Sequence, residues 1–339
     1  MTNESTGVLA TRVLTRPEHT LSRKDLSYGA LKVLYRLHRS GYLAYLVGGG
    51  VRDLLLGGRP KDFDVVTNAR PEEIRRQFRN SRVIGRRFRL VHVVFRDETV
   101  EVATFRSSSE APEGPEEWAE ATEEAAEEVA EEAEARRGRR RLPPLEDHVF
   151  GTPAEDARRR DFTVNGLFYD IADFSIIDHV GGLDDLERRL IRTIGEPVAR
   201  FEEDPVRVMR ALEYQVRLGF DLEESTRAAV EECAKLLGEA SPARLTYELS
   251  EGLHSGSAAG IVREWRRFGV LAHAFPHLPF DEAATTPLLA AIDRRRDENR
   301  PVSAVSVLGA FFLPQAARAL GEIFQDGRRF DNPTYLERL

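Results

Sequence analysis

Residues 42–67 read YLAYLVGGGVRDLLLGGRPKDFDVVT, and their order decides the front half of the chain. Tyr42–Val47 is a short apolar run that stops at Gly48-Gly49-Gly50, the pattern of a strand ending in a tight turn. Val51–Leu56 continues as a helix up to Gly57-Gly58, and Phe63–Thr67 forms a second strand. Glycines between strand and helix let backbone N–H groups approach an anion that a Cβ would block. On a strand, residues two apart face the same way, so Asp62 and Asp64 point at one spot with the apolar Phe63 behind them. Two such carboxylates repel, and a divalent cation resolves the repulsion; hard oxygen ligands suit Mg²⁺. Singly, each piece is ordinary: a glycine triplet serves any tight connection, and Asp-x-Asp ends many strands.

Working outward, the spacing of Leu31, Leu34 and Leu37 behind an opening serine predicts a helix over Ser27–Ser40, preceded by a mobile leader at 1–20. Pro71 opens a helix with acidic residues in its first turn. Strands follow at Arg82–Ile84, Leu90–Arg96 and Thr99–Phe105. The last holds Glu101, a charge among β-formers, which is either on an exposed face or aimed at a site. A helix is expected over Thr152–Arg160, then strands at Val164–Ile171 and Phe174–Asp178. Beyond Gly181-Gly182 the pattern is helical: Leu183–Leu190, Asp204–Leu218, Glu223–Leu237, Pro242–His254, Ala258–Phe268 and Pro287–Arg295. The fold class is therefore an α/β head, a small mixed sheet with helices, followed by an all-α neck and body.

The 339 residues suffice for about two or three domains. With 41% hydrophobic and 31% charged residues the chain reads as soluble and globular. Its longest apolar stretches, near Tyr42–Val51 and Pro301–Pro314, fall short of the ~18–20 residues of a membrane span. Met1–Thr20 lacks the apolar core of a signal peptide, and the lone Cys233 excludes an internal disulfide, so a cytoplasmic location is expected. The net charge of −8 is uneven: Glu110–Arg141 holds twelve Glu and five Arg, or −7, which leaves −1 for the rest. That stretch reads as a low-complexity loop insertion. The remaining body is near neutral and rich in arginine, the side chain suited to phosphate forks.

Two further segments carry polar clusters. Arg158-Arg159-Arg160-Asp161-Phe162-Thr163-Val164-Asn165 offers donors and acceptors suited to ribose hydroxyls and phosphates. In Glu203-Asp204-Pro205-Val206-Arg207-Val208-Met209-Arg210, Asp204 reads as a helix cap and Pro205 as first-turn residue, with Arg207 and Arg210 one turn apart.

In this order, LVGGGVRDLLLG (46–57), KDFDVVTNA (61–69), EVATFR (101–106), RRDFTVNGLFYD (159–170), VGGLDDLERRLIRTIG (180–195) and EDPVRVMRA (203–211) resemble the class II nucleotidyltransferase superfamily, which contains bacterial poly(A) polymerases and tRNA CCA-adding enzymes. VIGRRFRLVHV (83–93) and HTLSRKDLSYGALKVLYRL (19–37) resemble the poly(A) polymerase branch. The resemblance implies that Asp62, Asp64 and Glu101 hold two Mg²⁺ ions. Gly48, Gly49 and Arg52 would position the triphosphate of the substrate ATP. Arg160 and Asp161 would engage the ribose, distinguishing NTP from dNTP, and Asn165 would bind the nucleotide beside them. Asp204 and Arg207 would read the base edge, with Arg210 in support. A carboxylate accepting from an exocyclic amine beside an arginine donor suits adenine and cytosine and rejects uracil and guanine.

The implied layout is a leader at 1–24, a catalytic head at 25–193 with the insertion at 110–141, a neck at 194–255 that recognises the base, and an RNA-binding body at 256–339. The implied activity is transfer of AMP from ATP to RNA 3′ ends, as in mRNA polyadenylation, with no membrane partner. A tRNA CCA-adding or A-adding enzyme is the alternative, and a non-catalytic RNA-binding protein is the reading from another class. Two departures stand out. Where the family usually has arginine, this chain has Glu213, and it ends at Leu339 without the basic tail of longer poly(A) polymerases, so weak, salt-sensitive RNA affinity is expected.

Overall fold

The computed structural model describes residues 10–85, 90–107, 150–298 and 300–325. Residues 110–141, read as an insertion, and Arg86–Arg89 of the 83–93 segment lie outside the described residues. The chain divides into two compact units, Met1–Glu196 and Pro197–Leu339.

The first unit is built on a mixed eight-stranded sheet. Its strands are β1 (Arg12–Leu14), β2 (Ala44–Val47), β3 (Asp64–Thr67), β4 (Ser81–Ile84), β5 (Leu90–Val94), β6 (Thr99–Thr104), β7 (Leu167–Asp170) and β8 (Ile176–Asp178), in the spatial order β1-β8-β7-β2-β3-β6-β5-β4. All pairs are antiparallel except β3 with β6. β2 lies between β3 and β7, and all four of its side chains are buried, which is why it reads as a continuous apolar run without alternation. One core packs Val33, Leu34 and Leu37 of helix α1 (Tyr28–Arg39) and Val51 and Leu54 of α2 (Gly49–Leu55) against Leu46, Val65, Val100 and Val102. The other packs Ala157 of α4 (Pro153–Arg159) against Tyr45, Val47, Val66, Phe105 and Phe168. By strand alternation, Asp64 shares a face with Val66, and Glu101 with Ala103, which packs against this second core. Both acids thus belong to the face opposite α1. Helix α3 (Pro71–Gln77) and helix α5 (Gly182–Arg188) complete the unit; Asp178, buried at the end of β8, accepts the N–H groups of Val180, Gly181, Gly182 and Leu183 and so caps α5.

The second unit is helical: α6 (Pro197–Glu203), α7 (Arg207–Leu218), α8 (Glu224–Cys233), α9 (Pro242–His254), α10 (Ala258–Arg267), α11 (Val270–Ala274), α12 (Glu282–Asp297) and α13 (Ala304–Gln325). Trp265 of α10 is fully buried and donates its indole N–H to the Met209 carbonyl of α7 at 3.1 Å, which pins the two helices together.

The structure corrects several expectations. Residues 10–24 are not a loose leader: β1 pairs with β8, and Ser22 caps a short turn at Arg23–Asp25. Thr163–Asn165 is a helical turn, so β7 begins only at Leu167. Asp204 caps no helix, because α6 ends at Glu203 and a turn closed by Arg207 N–H on the Asp204 carbonyl (3.1 Å) precedes α7. Pro287 lies inside α12, whose start is set by Asp281 accepting from Ala284 N–H. The apolar stretch at 301–314 belongs to the 22-residue α13, of which Ala304–Gly321 is long and apolar enough to cross a membrane by length and composition.

Candidate active site

Strand register brings the site together. β2 and β3 pair with Val47 opposite Asp64, so the Gly48–Gly50 turn leaves β2 where β3 begins. On the other side, β3 and β6 run parallel with Asp64 opposite Glu101. Adjacent strands lie ~4.8 Å apart, so the two carboxylates are neighbours on one face. Solvent reaches the Asp64 side chain, yet the surrounding protein desolvates it. With the like charges of Glu101 and Asp62, and against the opposing Arg160, this pushes its carboxyl up to about 6.

Asp62 lies in the loop before β3, because the ladder with β2 ends at Asp64. Its side chain is exposed, with Lys61 Nζ 4.0 Å away. Glu101 Oε1 lies 3.3 Å from Nε2 of His92, its register partner on β5. The converged triad expected from sequence is therefore not formed: among the described residues no three His, Cys, Asp or Glu side chains make a metal-holding group. Like charges repel, and Asp62 and Glu101 each have a basic neighbour to turn to. The donor set is nonetheless one that fits Mg²⁺: three carboxylates around one strand end, one of them with a raised pKa.

The glycine turn faces a guanidinium. Gly48 has φ +68°, and a Cβ there would sit 3.2 Å from Arg160 Nη1. Arg160, at the end of α4, also donates to Asp156 Oδ2 at 3.0 Å and stacks 5.4 Å from the Phe168 ring centre. A Cβ on Gly49 would lie 3.2 Å from Arg52 Nη2. Arg52, expected to position the triphosphate, lies against the glycine turn. It is 1% exposed and spends its donors on Asp53 Oδ1 (2.8 Å) and Asn165 Oδ1 (2.5 Å), which makes it the floor under the turn. Asn165 in turn donates to Asp161 Oδ1 at 3.0 Å. One continuous polar chain, Asp53–Arg52–Asn165–Asp161, thus ties α2 to the segment after α4. The structure gathers Gly48, Gly49, Arg52, Arg160, Asp161 and Asn165 around this turn.

In the second unit, Asp204, Arg207 and Arg210 form a separate charged cluster. Arg207 Nη1 donates to the Arg200 carbonyl (2.8 Å) and to Glu203 (3.1 Å), and its Nε lies 3.8 Å from Asp204 Oδ2. Asp204 Oδ2 takes its short bond, 2.6 Å, from Arg244 of α9. Arg210 bonds the Tyr214 hydroxyl at 2.9 Å and lies 3.6 Å from Glu248 of α9. Burial pushes the Glu248 carboxyl up to about 7, against the pull of Arg210 and with Glu213 adding to the rise. Glu213 is buried and 3.5 Å from Arg217, one turn on. Sequence reasoning missed Arg244 and Glu248; the signal available was two charged residues at i, i+4 on an otherwise amphipathic helix.

Residues 44–192 match the family described as poly A polymerase head domain, and residues 219–281 the probable RNA and SrmB-binding site of polymerase A. The two matched segments carry the domains of the poly(A) polymerase family of nucleotidyltransferases. A poly(A) polymerase I of Salmonella typhi is 45% identical over 264 residues, covering 78% of this chain and 53% of that one. A CCA-adding enzyme of Bacillus velezensis is 34% identical, covering 71% and 54%. A tRNA nucleotidyltransferase solved with a primer tRNA and an incoming ATP analog superposes with a TM-score of 0.59 at 25% identity, covering 82% of this chain and 74% of the other. The chain spans about half the length of the two curated relatives.

Proposed function

We propose that the chain is a template-independent RNA nucleotidyltransferase that adds AMP from ATP to RNA 3′ ends: a polynucleotide adenylyltransferase. The observation that carries this reading is the Asp64–Glu101 register pair beside the Gly48–Arg160 turn. It sets carboxylates for metal next to backbone N–H groups and a cation for phosphate.

Asp62, Asp64 and Glu101 would hold Mg²⁺. When bound, the metal lowers the pKa of the attacking hydroxyl and neutralises the triphosphate. The RNA 3′-hydroxyl gives up its proton to solvent as its oxygen bonds to the α-phosphorus of ATP, the bond from that phosphorus to the bridging oxygen of the β-phosphate breaks, and pyrophosphate leaves. No side chain becomes covalently attached, so the protein contributes position and charge. Gly48 and Gly49 present N–H groups, and Arg160 presents its guanidinium, toward the triphosphate. Arg52 fixes the turn from below. Asp161 and Asn165 face the ribose. Asp204 accepts from the adenine amine and Arg207 donates to the adjacent ring nitrogen. Arg244 and Arg210 hold this pair in place.

Adenine and cytosine offer the same edge to Asp204 and Arg207. CCA addition is therefore the second reading, favoured by the relatives that carry that name. The higher identity to poly(A) polymerases supports the first reading. Primer extension decides. A long ladder on generic RNA with ATP alone supports the adenylyltransferase. One to three additions confined to tRNA and needing CTP support the alternative. RNA binding without any extension supports a non-catalytic role.

A further inference from the structure

We propose that the outward face of α1 is a second binding surface for single-stranded RNA, which holds nucleotides upstream of the 3′ end. The proposal rests on the RNA nucleotidyltransferase reading above and locates where that substrate is gripped away from the reacting bond.

Tyr28, Lys32, Tyr35 and Arg39 fall at successive four-, three- and four-residue steps of α1, with Arg36 four residues after Lys32 and three before Arg39, and so form one stripe. The stripe is about 16 Å long at 1.5 Å per residue. Ala30, Val33, Leu34 and Leu37 take the core side. With Gln77 of α3, the stripe lines a cavity of about 630 Å³. Rings and cations interleave there: Lys32 Nζ is 5.4 Å from the Tyr28 ring centre and 5.7 Å from that of Phe95, and Arg39 is 5.8 Å from that of Tyr35.

Three observations separate this from an ordinary solvated helix face. Helix surfaces usually set acids one turn from their cations, yet α1 contains no Asp or Glu. The nearby acid Glu98 accepts from the Gly29 N–H at 2.7 Å, and no carboxylate among the described residues lies within ion-pair distance of Lys32, Arg36 or Arg39. The helix dipole accounts for cations in the last turn but not for Lys32 in the middle, nor for a tyrosine left 71% exposed in the first turn. Arg36 Nη1 also donates to the Gln77 carbonyl at 3.0 Å, but none of the three cations has a carboxylate partner among the described residues, and the exposed Tyr28 ring and half-buried Tyr35 ring stand among them. A single strand requires this arrangement: phosphates meet the cations and an unstacked base lies on the exposed ring. A duplex, whose bases are already stacked, cannot use the rings. The stripe lies on the opposite side of the sheet from Asp64 and Glu101, so a primer must be long enough to reach both.

The test measures binding of labelled oligoadenylate of about 20 and about 6 nucleotides to the full chain, together with primer extension on each. Wild type is compared with the Lys32→Ala/Arg36→Ala/Arg39→Ala triple variant and with Tyr28→Ala. The triple variant is expected to bind the long strand about tenfold more weakly. The slope of log affinity against log salt should fall by about 2, or ~0.7 per lost phosphate contact. Tyr28→Ala should weaken long-strand binding about fivefold with the slope unchanged. Neither should change kcat on the short primer. Should the triple variant melt early, Tyr28→Ala, at an exposed position, gives the answer alone. Unchanged long-strand affinity in both variants overturns the proposal, as does an equal loss on duplex RNA of the same length. Wild type that extends no RNA with any nucleotide overturns the functional reading instead, and the binding comparison is unaffected by that result.

Discussion

Asp64 and Glu101 stand at paired positions of two neighbouring parallel strands, joined by the same ladder that holds the sheet together. Their separation is set by backbone pairing, so either carboxylate can be removed without moving the other. Asp64→Asn and Glu101→Gln should each lower AMP incorporation at least a hundredfold, the scale of losing one charge-stabilising group. Single-turnover extension at saturating ATP measures this. Incorporation within twofold of wild type would remove these residues from the chemistry. Chelation by EDTA should abolish the wild-type activity, and added Mg²⁺ should restore it.

Gly48→Ala should cost about 1–2 kcal/mol, since the residue has φ +68°. It should also displace the Arg160 guanidinium, which stands 3.2 Å from the new methyl position. The KM for ATP should therefore rise and kcat should fall, and denaturant unfolding should show the stability loss. A variant with wild-type KM would show that Arg160 does not meet the triphosphate.

Arg244→Ala removes the shortest bond to Asp204, at 2.6 Å. With its carboxylate no longer held, base selection should relax: the preference for ATP over UTP and GTP should fall about tenfold, while incorporation of the best nucleotide falls less. Competition between nucleotides on one primer reads this ratio. Unchanged selectivity would mean that Asp204 is held well enough by Arg207 alone.

Glu248 predicts a pH dependence of stability. Its folded pKa, about 7, lies above the ordinary 4.5. The folded state therefore binds the proton more tightly, and the stability this gives is present below pH 4.5 and lost as pH rises to about 7. The difference is at most about 3 kcal/mol. Glu248→Gln should flatten the fall in Tm between pH 5 and 8. Parallel Tm profiles of variant and wild type would contradict the assignment.

The sequence reading located what depends on neighbours along the chain and missed what depends on partners across space. The glycine turn, the paired aspartates and the α/β-to-helical transition all follow from local pattern. Asp62 was placed on the strand because alternation in Asp62-Phe63-Asp64 has no means of showing where the partner strand ends, and β2 stops at Val47. Asp204 followed by Pro205 has the local pattern of a helix start, yet the helix before it ends at Glu203 and a turn intervenes before α7. Pro314 was read as the end of an apolar stretch, yet α13 runs through it. The pairings of His92 with Glu101 and of Arg244 with Asp204 are set by register and by packing of α9, across 9 and 40 residues respectively. No motif spacing encodes them.

Arg106 and Phe150 form a bridge, and the Gly151 N–H bonds the Phe105 carbonyl at 2.9 Å. A side chain at Gly151 would meet the Arg106 carbonyl at 2.2 Å, so the backbones are as close as they can be. The two sides of this closure are 44 positions apart in sequence, yet the sheet is already sealed beneath them. A chain that joins two ends held this closely carries a loop-closure cost that grows only with the logarithm of its length. Residues 108–149 should be exchangeable for a short linker or a reporter domain with the catalytic strands left in register, which makes this the natural place to attach a probe.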